Sequence, residues 1–422
     1  MSKLNVFFES IKVGELERND ELVHSFTYSE DWLQHPRRFP LSLAMPLQKQ
    51  SFGNKITLSF FENLLPEGEI RTIIGRAHQV ESPYEFLKEF GQDCAGAVIV
   101  TENESSPFEA ASGERVEIDM NRVFAAIEQN HNVAHVIAEM DPGYLSLAGA
   151  QDKFPAIFED GKFFLPKRGA PTTHIVKVPI KRNGVKESVY NEYYCMQLAR
   201  AVGLNVPHCQ VIGEGTHPLF VIERYDRIVD ESGNVQRIHQ QDFCQAQGVV
   251  SEQKYEERGG PSIKDNYQLI VKNVGIKKRA ANTFAFLDWI CFNLLIGNND
   301  SHSKNISFLL RDDKVELAPA YDLLCTAIYP NLKREFSFKV GDRNDANRIG
   351  KNQLSMLDEE LQLKTGTVEE RLRLLHKKVH MKKDEVAQAL QDSHPGVRIA
   401  QRISDFIADR SRSLERQGVR WD

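Results

Sequence analysis

Asp300-Ser301-His302-Ser303-Lys304-Asn305 comes shortly after a strongly apolar segment that ends at Ile296-Gly297. It sets an Asp five residues ahead of an Asn. In a phosphoryl-transfer loop of that spacing, the Asp takes the proton of the attacking hydroxyl and the Asn holds Mg²⁺. Two strand-like runs follow, Ile306–Leu310 and Lys314–Leu317, with the turn-like Arg311-Asp312-Asp313 between them. Tyr321-Asp322 then places a second carboxylate just past the hairpin. Asp300, Asn305 and Asp322 together offer oxygen ligands of the kind Mg²⁺ prefers, and Mg²⁺ brings substrate phosphates with it. The competing reading is an Asx-rich turn between a buried helix and a hairpin.

Catalytic loop, hairpin and metal-binding Asp occur in this order in protein kinases, so the other parts of such a fold are expected elsewhere in the chain. At 422 residues the chain is long enough for two or three units. Charged residues at 27% and hydrophobic residues at 41% are those of an ordinary globular chain. A net charge of −6 gives no overall attraction to nucleic acid or to a membrane surface. The six cysteines are widely spaced and form no Cys-x-x-Cys pair, which argues against a zinc site and a disulfide framework. Reduced thiols and the absence of a long apolar core after Met1 fit a cytoplasmic protein. The most apolar run, Phe284 to Ile296, is too short to span a bilayer and carries Asp288 and Asn293.

The expected fold class is α+β, a two-lobed protein-kinase-like fold with an added N-terminal α/β subdomain and a mostly helical C-terminal lobe. The expected boundaries are 1–135 for the N-terminal subdomain, 136–228 for the small lobe and 229–422 for the helical lobe. In the first part, Leu4–Phe8 and Lys12–Leu16 read as a hairpin around Glu9-Ser10. Phe60-Phe61 opens a helical region, and Ser82-Pro83-Tyr84-Glu85 is a capping box with Pro at the first helical position and Gly91 as a stop. Ala97–Thr101 reads as a buried strand and 103–118 as a surface loop. In the second part, Phe154–Phe158, Phe163–Leu165, His174–Val178 and Leu219–Glu223 read as strands, with a helix over Ser188–Val202. From about residue 240 helices dominate. Ala281–Ile296 is the central one, and 353–417 shows helical spacing.

A kinase also needs cations on the nucleotide phosphates. Lys177, in His174-Ile175-Val176-Lys177-Val178, resembles the strand Lys of Val-Ala-Ile-Lys; the alternative is a solvated charge guarding a sheet edge. Glu192 is its candidate partner on the helix, or else a partly exposed carboxylate. The phosphate-covering loop is expected over Leu145–Lys153, where Ala148, Gly149, Ala150 and Gln151 are small or polar enough for backbone N–H groups to approach phosphate oxygens, and Lys153 adds a second cation. Glu223, Arg224 and Tyr225 fall at the expected hinge, whose backbone would meet the adenine edge; their charges read equally as a structural ion-pair network. His302 lacks a second His at ligand spacing, so it is expected to orient the loop rather than bind metal. Lys304 joins Asp300 and His302 as a catalytic candidate. The Lys377-Lys378 and Lys382-Lys383 pairs read as a solvated helix face, with a phosphate-contacting patch as the minority reading.

Several blocks in this order resemble the HipA family of serine/threonine kinase toxins. They are Phe61-Glu62-Asn63-Leu64-Leu65-Pro66-Glu67-Gly68, Leu145–Lys153, Thr173–Lys177, Asn191-Glu192-Tyr193-Tyr194, Glu223–Arg227, Asp300–Asn305 and Tyr321-Asp322. The resemblance implies ATP and Mg²⁺ as cofactors, Asp300 as base, Asn305 and Asp322 as metal ligands, and Lys177 as phosphate anchor. It implies a small helix-turn-helix antitoxin as partner, with DNA met mainly through that antitoxin. It also implies a translation component as protein substrate, such as an aminoacyl-tRNA synthetase, whose phosphorylation causes growth arrest and persistence. Autophosphorylation would fall on Ser146 and switch the enzyme off, by placing negative charge where ATP phosphates bind. Two rivals differ in class. Asp-x-His-x-x-Asn also looks like the loop of phosphoinositide kinases, which an acceptor assay separates. A non-catalytic corepressor would show no ATP turnover.

Overall fold

The computed structural model describes residues 2–107, 114–140, 148–167, 170–213, 217–311 and 314–421. The chain divides into two units. Met1–Val178, Val221–Ser251 and Phe308–Lys314 make the first, and Pro179–Phe220, Glu252–Ser307 and Val315–Asp422 make the second. The segment expected as the small lobe, 136–228, is therefore shared, because 179–220 belong to the second unit.

The first unit opens with the hairpin of β1 (Ser2–Phe8) and β2 (Ile11–Arg18), with Phe8 opposite Ile11 and Glu9 turning the chain in the left-handed region at φ 53°. Next to it runs β3 (His24–Tyr28). Gly14 is required where these strands meet, because a Cβ there would lie 2.3 Å from the Thr27 carbonyl oxygen and 2.6 Å from the Phe26 ring. The short α1 (Glu30–Gln34) buries Trp32, whose indole N–H donates to the Phe39 carbonyl at 3.1 Å. Helix formation starts earlier than expected, with α2 (Asn54–Phe61), and Phe60-Phe61 close that helix rather than open it. A single 3-10 turn and Pro66 separate it from α3 (Gly68–His78).

The Ser82–Glu85 capping box forms at the head of α4 (Pro83–Phe90) as expected. Two backbone N–H donors, of Ser82 and Glu81, hold the Glu85 carboxyl down at about 2. β4 (Val98–Thr101) completes an antiparallel sheet in the order β3-β2-β1-β4. That order makes β1 central, which is why Leu4 to Phe8 are all buried and why buried Asn5 donates to the Asn103 carbonyl at 2.9 Å.

Within the expected loop lies an exposed strand, β5 (Arg115–Glu117), and then come α5 (Met120–Glu128) and α6 (Val133–Met140). β6 (Lys153–Glu159), β7 (Lys162–Pro166) and β8 (His174–Lys177) follow. The chain enters the second unit with α7 (Ser188–Ala201) and β9 (Cys209–Ile212). It returns through β10 (Leu219–Glu223) to a hairpin the sequence reading missed, β11 (Arg227–Val229) and β12 (Val235–Arg237), and then β13 (His239–Asp242) and α8 (Phe243–Gln247). The first unit's second sheet runs β5-β7-β6-β8-β10.

The second unit is helical. α9 (Ile263–Asn273) precedes α10 (Ile276–Ile296), which begins five residues before the expected Ala281 because Gly275 caps it. Its last two turns are wholly apolar or buried, and Gly297 ends it at φ 72°, where a Cβ would strike the Phe406 ring at 2.5 Å. The two strands expected after the Asp300 loop are β14 (Ser307–Arg311), which from Phe308 on belongs to the first unit, and β15 (Lys314–Leu317), which returns to the second at Val315. α12 (Thr367–Ser393) and α13 (Ile399–Arg416) pack with α7 and α10, and α11 (Lys351–Glu360) packs on α12. Buried Asn191 fixes α7, as its amide donates to the Cys325 carbonyl at 2.9 Å and accepts from the Cys325 N–H at 2.7 Å. All six cysteines are buried thiols. Among the described residues no helix is long and apolar enough to cross a membrane.

Candidate active site

The Asp300 loop is built on buried asparagines that precede it. Asn298, fully buried, donates to Asn293 Oδ1 at 2.8 Å and to the Asp322 carbonyl at 3.1 Å, and its own Oδ1 accepts from the Asp300 N–H at 3.2 Å. Asn299 donates to the Lys333 and Arg334 carbonyls at 3.2 and 3.0 Å. One side chain therefore ties together the end of α10, the Asp300 backbone and the Asp322 backbone. Asn298-Asn299 lie just outside the Asp300–Asn305 motif. Their signal was an Asx pair placed directly after a buried apolar helix, where polar side chains have backbone to satisfy.

Asn305 closes the loop, its Nδ2 donating to the Asp300 carbonyl at 2.8 Å. That leaves its amide oxygen as the atom with lone pairs for a hard cation. Asp322 adopts the left-handed conformation at φ 59°, which only a few non-glycine residues accept. The Asn298 bond to its carbonyl helps hold it there. An amide oxygen and a carboxylate are donors that suit Mg²⁺. His302 shapes the loop with its backbone, donating from N–H to the Asp300 carbonyl at 3.0 Å and accepting from Asn305 N–H at 2.8 Å. Lys304 is buried, and its carbonyl accepts from the Tyr321 hydroxyl at 2.8 Å. Glu192 is buried in α7.

In the first unit, Lys153 on β6 and Lys177 on β8 stand directly opposite each other in register. Like charges so placed repel, and an anion between them relieves the repulsion. Gly149 belongs to the same cluster, since a Cβ on it would lie 2.8 Å from Lys153 Nζ. Gly149 has φ 106°, a conformation that favours glycine. Its carbonyl accepts from Glu67 N–H at 3.0 Å, and Pro66 and Gly149 form a parallel bridge. The Leu65-Pro66-Glu67-Gly68 block thus serves as a shelf for the loop at Ala148-Gly149-Ala150. Beyond the loop, Asp152 accepts from Val133 and Ala134 N–H at 2.9 and 3.3 Å, capping the start of α6. The Gln151 amide donates to the Val178 carbonyl at 3.0 Å, which commits that side chain to the sheet. Leu145, Ser146 and Leu147 lie outside the described residues.

Arg224, a candidate for the hinge, has its charged side chain in a structural ion-pair network, one of the two readings its sequence allowed. Its N–H donates to the Thr173 carbonyl at 2.9 Å. Its guanidinium reaches Asp93 at 2.9 Å and both oxygens of Asp226 at 3.0 Å. Arg227 and Arg237 approach the other oxygen of Asp93 at 2.8 and 3.3 Å. Burial pushes the Asp93 carboxyl up, but Arg224, Arg227 and Arg237 together hold it far below the usual carboxylate range. Tyr225 donates to Gln240 Oε1 at 2.8 Å, while the Glu223 side chain is exposed. Of the two lysine pairs on α12, Lys377 and Lys378 are exposed. Lys383 is not on a solvated face. It is buried and donates to Asp384 at 2.8 Å and to Ser404 at 3.0 Å.

Similarity to known proteins follows this geometry. The HipA-like C-terminal domain family matches residues 145–389, and the HipA N-terminal domain family matches 4–101. Y4mE of Sinorhizobium fredii, whose designation as a kinase is provisional, is 37% identical over 349 residues, covering 81% of each chain. The serine/threonine-protein kinase toxin HipA of Shewanella oneidensis is 29% identical over 377 residues, covering 83% of this chain and 82% of its own. The solved complex of Shewanella oneidensis HipA with HipB and operator DNA contains a chain that superposes with a TM-score of 0.81 at 25% identity, covering 98% of this chain and 96% of that one. The first family match alone spans more than half of the sequence and contains Lys153, Lys177, Asp300, Asn305 and Asp322, so the chain belongs to the HipA family of serine/threonine kinases.

Proposed function

We propose that this chain transfers the γ-phosphoryl group of Mg²⁺–ATP to a serine or threonine of a protein and acts as the toxin of a type II toxin–antitoxin pair. Asp300 accepts the proton of the acceptor hydroxyl. Asn305 and Asp322 would hold Mg²⁺, which when bound neutralises charge on the transferring phosphates. Lys153, Lys177 and the backbone of Ala148–Ala150 bind those phosphates. The observation that carries this reading is the Asn298 side chain, which fixes the Asp300 and Asp322 backbones at once.

The partner is a small helix-turn-helix antitoxin on operator DNA, by analogy with the Shewanella oneidensis complex. The acceptor is a component of translation, and growth arrest and persistence follow from its modification in the cytoplasm. Phosphorylation of Ser146 would turn the enzyme off by charge repulsion with ATP.

Two variants test the division of roles. Asp300→Asn should abolish transfer from radiolabelled ATP while nucleotide affinity, read by calorimetry with Mg²⁺, stays near wild type. Asp322→Ala should weaken Mg²⁺–ATP binding itself. Equal losses of nucleotide affinity in both, or transfer retained by Asp300→Asn, would overturn the assignment.

A further inference from the structure

The Asp300 carboxylate has one side-chain donor among the described residues, and no motif pointed to it. The Tyr255 hydroxyl donates to Asp300 Oδ1 across 45 positions of sequence. All other contacts of Asp300 engage its backbone: the N–H donates to Asn298 Oδ1, and the carbonyl accepts from Asn305 Nδ2 and His302 N–H. Those bonds place the Cα of Asp300 but leave its carboxylate free to rotate about χ1 and χ2. A general base must present one chosen oxygen to the proton it removes.

The segment carrying Tyr255 is constructed to hold it. Tyr255 opens a 3-10 turn over Glu256–Arg258, and its carbonyl accepts from Arg258 and Gly260 N–H, both at 3.0 Å. Gly259 takes φ 81°, and a Cβ on Gly260 would lie only 1.8 Å from the Gln253 carbonyl oxygen, so the loop closes this tightly only with glycine there. Glu256 Oε2 accepts from Lys339 N–H at 2.8 Å, and the Pro261 carbonyl accepts from Ser303 Oγ at 3.4 Å, which anchors the segment to the catalytic loop itself. The ring meets His302 edge-on with centroids 5.0 Å apart. Lys333, Arg258 and Lys254 lie 5.1, 5.5 and 5.6 Å from its centroid, within the range of cation–π attraction.

We propose that Tyr255 is a positioning residue for the catalytic base: its hydroxyl holds Oδ1 of Asp300, so that Oδ2 is the oxygen presented to the acceptor hydroxyl. The inference rests on Asp300 being the base, and it deepens that reading by naming what orients it. Tyr255 forms no bond to substrate. It acts through Asp300, and its effect belongs to the transfer step rather than to nucleotide binding.

Tyr255→Phe is the discriminating variant, because it keeps the ring, its packing on His302 and its cations and deletes only the hydroxyl. The readout is total γ-phosphoryl transfer from radiolabelled Mg²⁺–ATP, to water and to protein, as a function of ATP concentration. Transfer should fall about tenfold, with the KM for ATP unchanged, since a misdirected base loses near-attack geometry. In an Asp300→Asn background the second change should have no further effect.

A variant with unchanged or faster transfer overturns the proposal, as does one whose loss of rate comes with a raised KM for ATP. An active Asp300→Asn overturns the assignment of the base as well, whereas an inactive Asp300→Asn beside a fully active Tyr255→Phe overturns the Tyr255 role alone.

Discussion

Asp93→Asn should unfold the first unit far more readily than any surface substitution. Asp93 and the three guanidinium groups around it have side chains at most 2% exposed. Each depends on Asp93 for charge compensation, with Asp226 as the second carboxylate of the cluster. Asn preserves volume and one carbonyl oxygen but removes the charge. It leaves three buried arginines against one carboxylate, and it turns an NH₂ group toward a donor. Breaking a buried ion pair by deleting one partner costs about 3–5 kcal/mol, because the remaining charge stays buried without compensation.

Three tryptophans allow the loss to be localised. Trp32 lies in the first unit, while Trp289 and Trp421 lie in the second. In a background with Trp289 and Trp421 changed to Phe, urea unfolding followed by Trp32 fluorescence reports the first unit. At a urea slope of about 3 kcal/mol per molar, the midpoint should fall by roughly 1–2 M. Adding Arg237→Met should recover part of the loss, since it removes one uncompensated charge. A midpoint for Asp93→Asn within about 0.3 M of the parent would refute the claim that this cluster holds the unit together.

Two further outcomes follow from named contacts. Asn298→Ala should reduce phosphoryl transfer by about one to two orders of magnitude while lowering global stability by only about 1–3 kcal/mol, because it releases the Asp300 and Asp322 backbones together; transfer kinetics beside urea titration would show it, and a purely proportional loss of folded protein would contradict it. Burial pushes the His239 imidazole down to about 4, against its Nε2 contact with the Leu41 carbonyl. The folded state therefore binds fewer protons than the unfolded one, and stability falls as pH drops from about 6.5 to 4, by about 3 kcal/mol in full. Trp32-reported midpoints measured across that window should decline, and more shallowly in His239→Gln.

What the sequence disclosed and what it concealed divide by the range of the interaction. The Ser82–Glu85 cap and the Glu9 hairpin were legible because their partners lie within a few residues and backbone chemistry dictates them. The Asp300–Asn305 turn is local in the same way, its Asp and Asn being joined by a bond across five positions. Arg224 was not. Its partner Asp93 is 131 positions away, so an arginine in a strand end read as well as a hinge as it did as a brace. Tyr255 was hidden likewise, and its only local trace was Gly259-Gly260, whose tightness means something only once the ring it aims is known.

Asp322 shows the limit most sharply. Its residue type and its place after the hairpin marked it as a metal ligand, yet nothing in Tyr321-Asp322 indicates a backbone at φ 59°. A non-glycine residue there costs about 1–2 kcal/mol, and such conformations persist only where surrounding contacts over-determine them. Here one of those contacts comes from Asn298, 24 positions earlier, through the carbonyl of the strained residue itself. The backbone that carries this carboxylate is thus held by a side chain on the far side of the hairpin. The sequence motif specifies which atoms would meet a cation, and the buried asparagine holds the backbone that carries them.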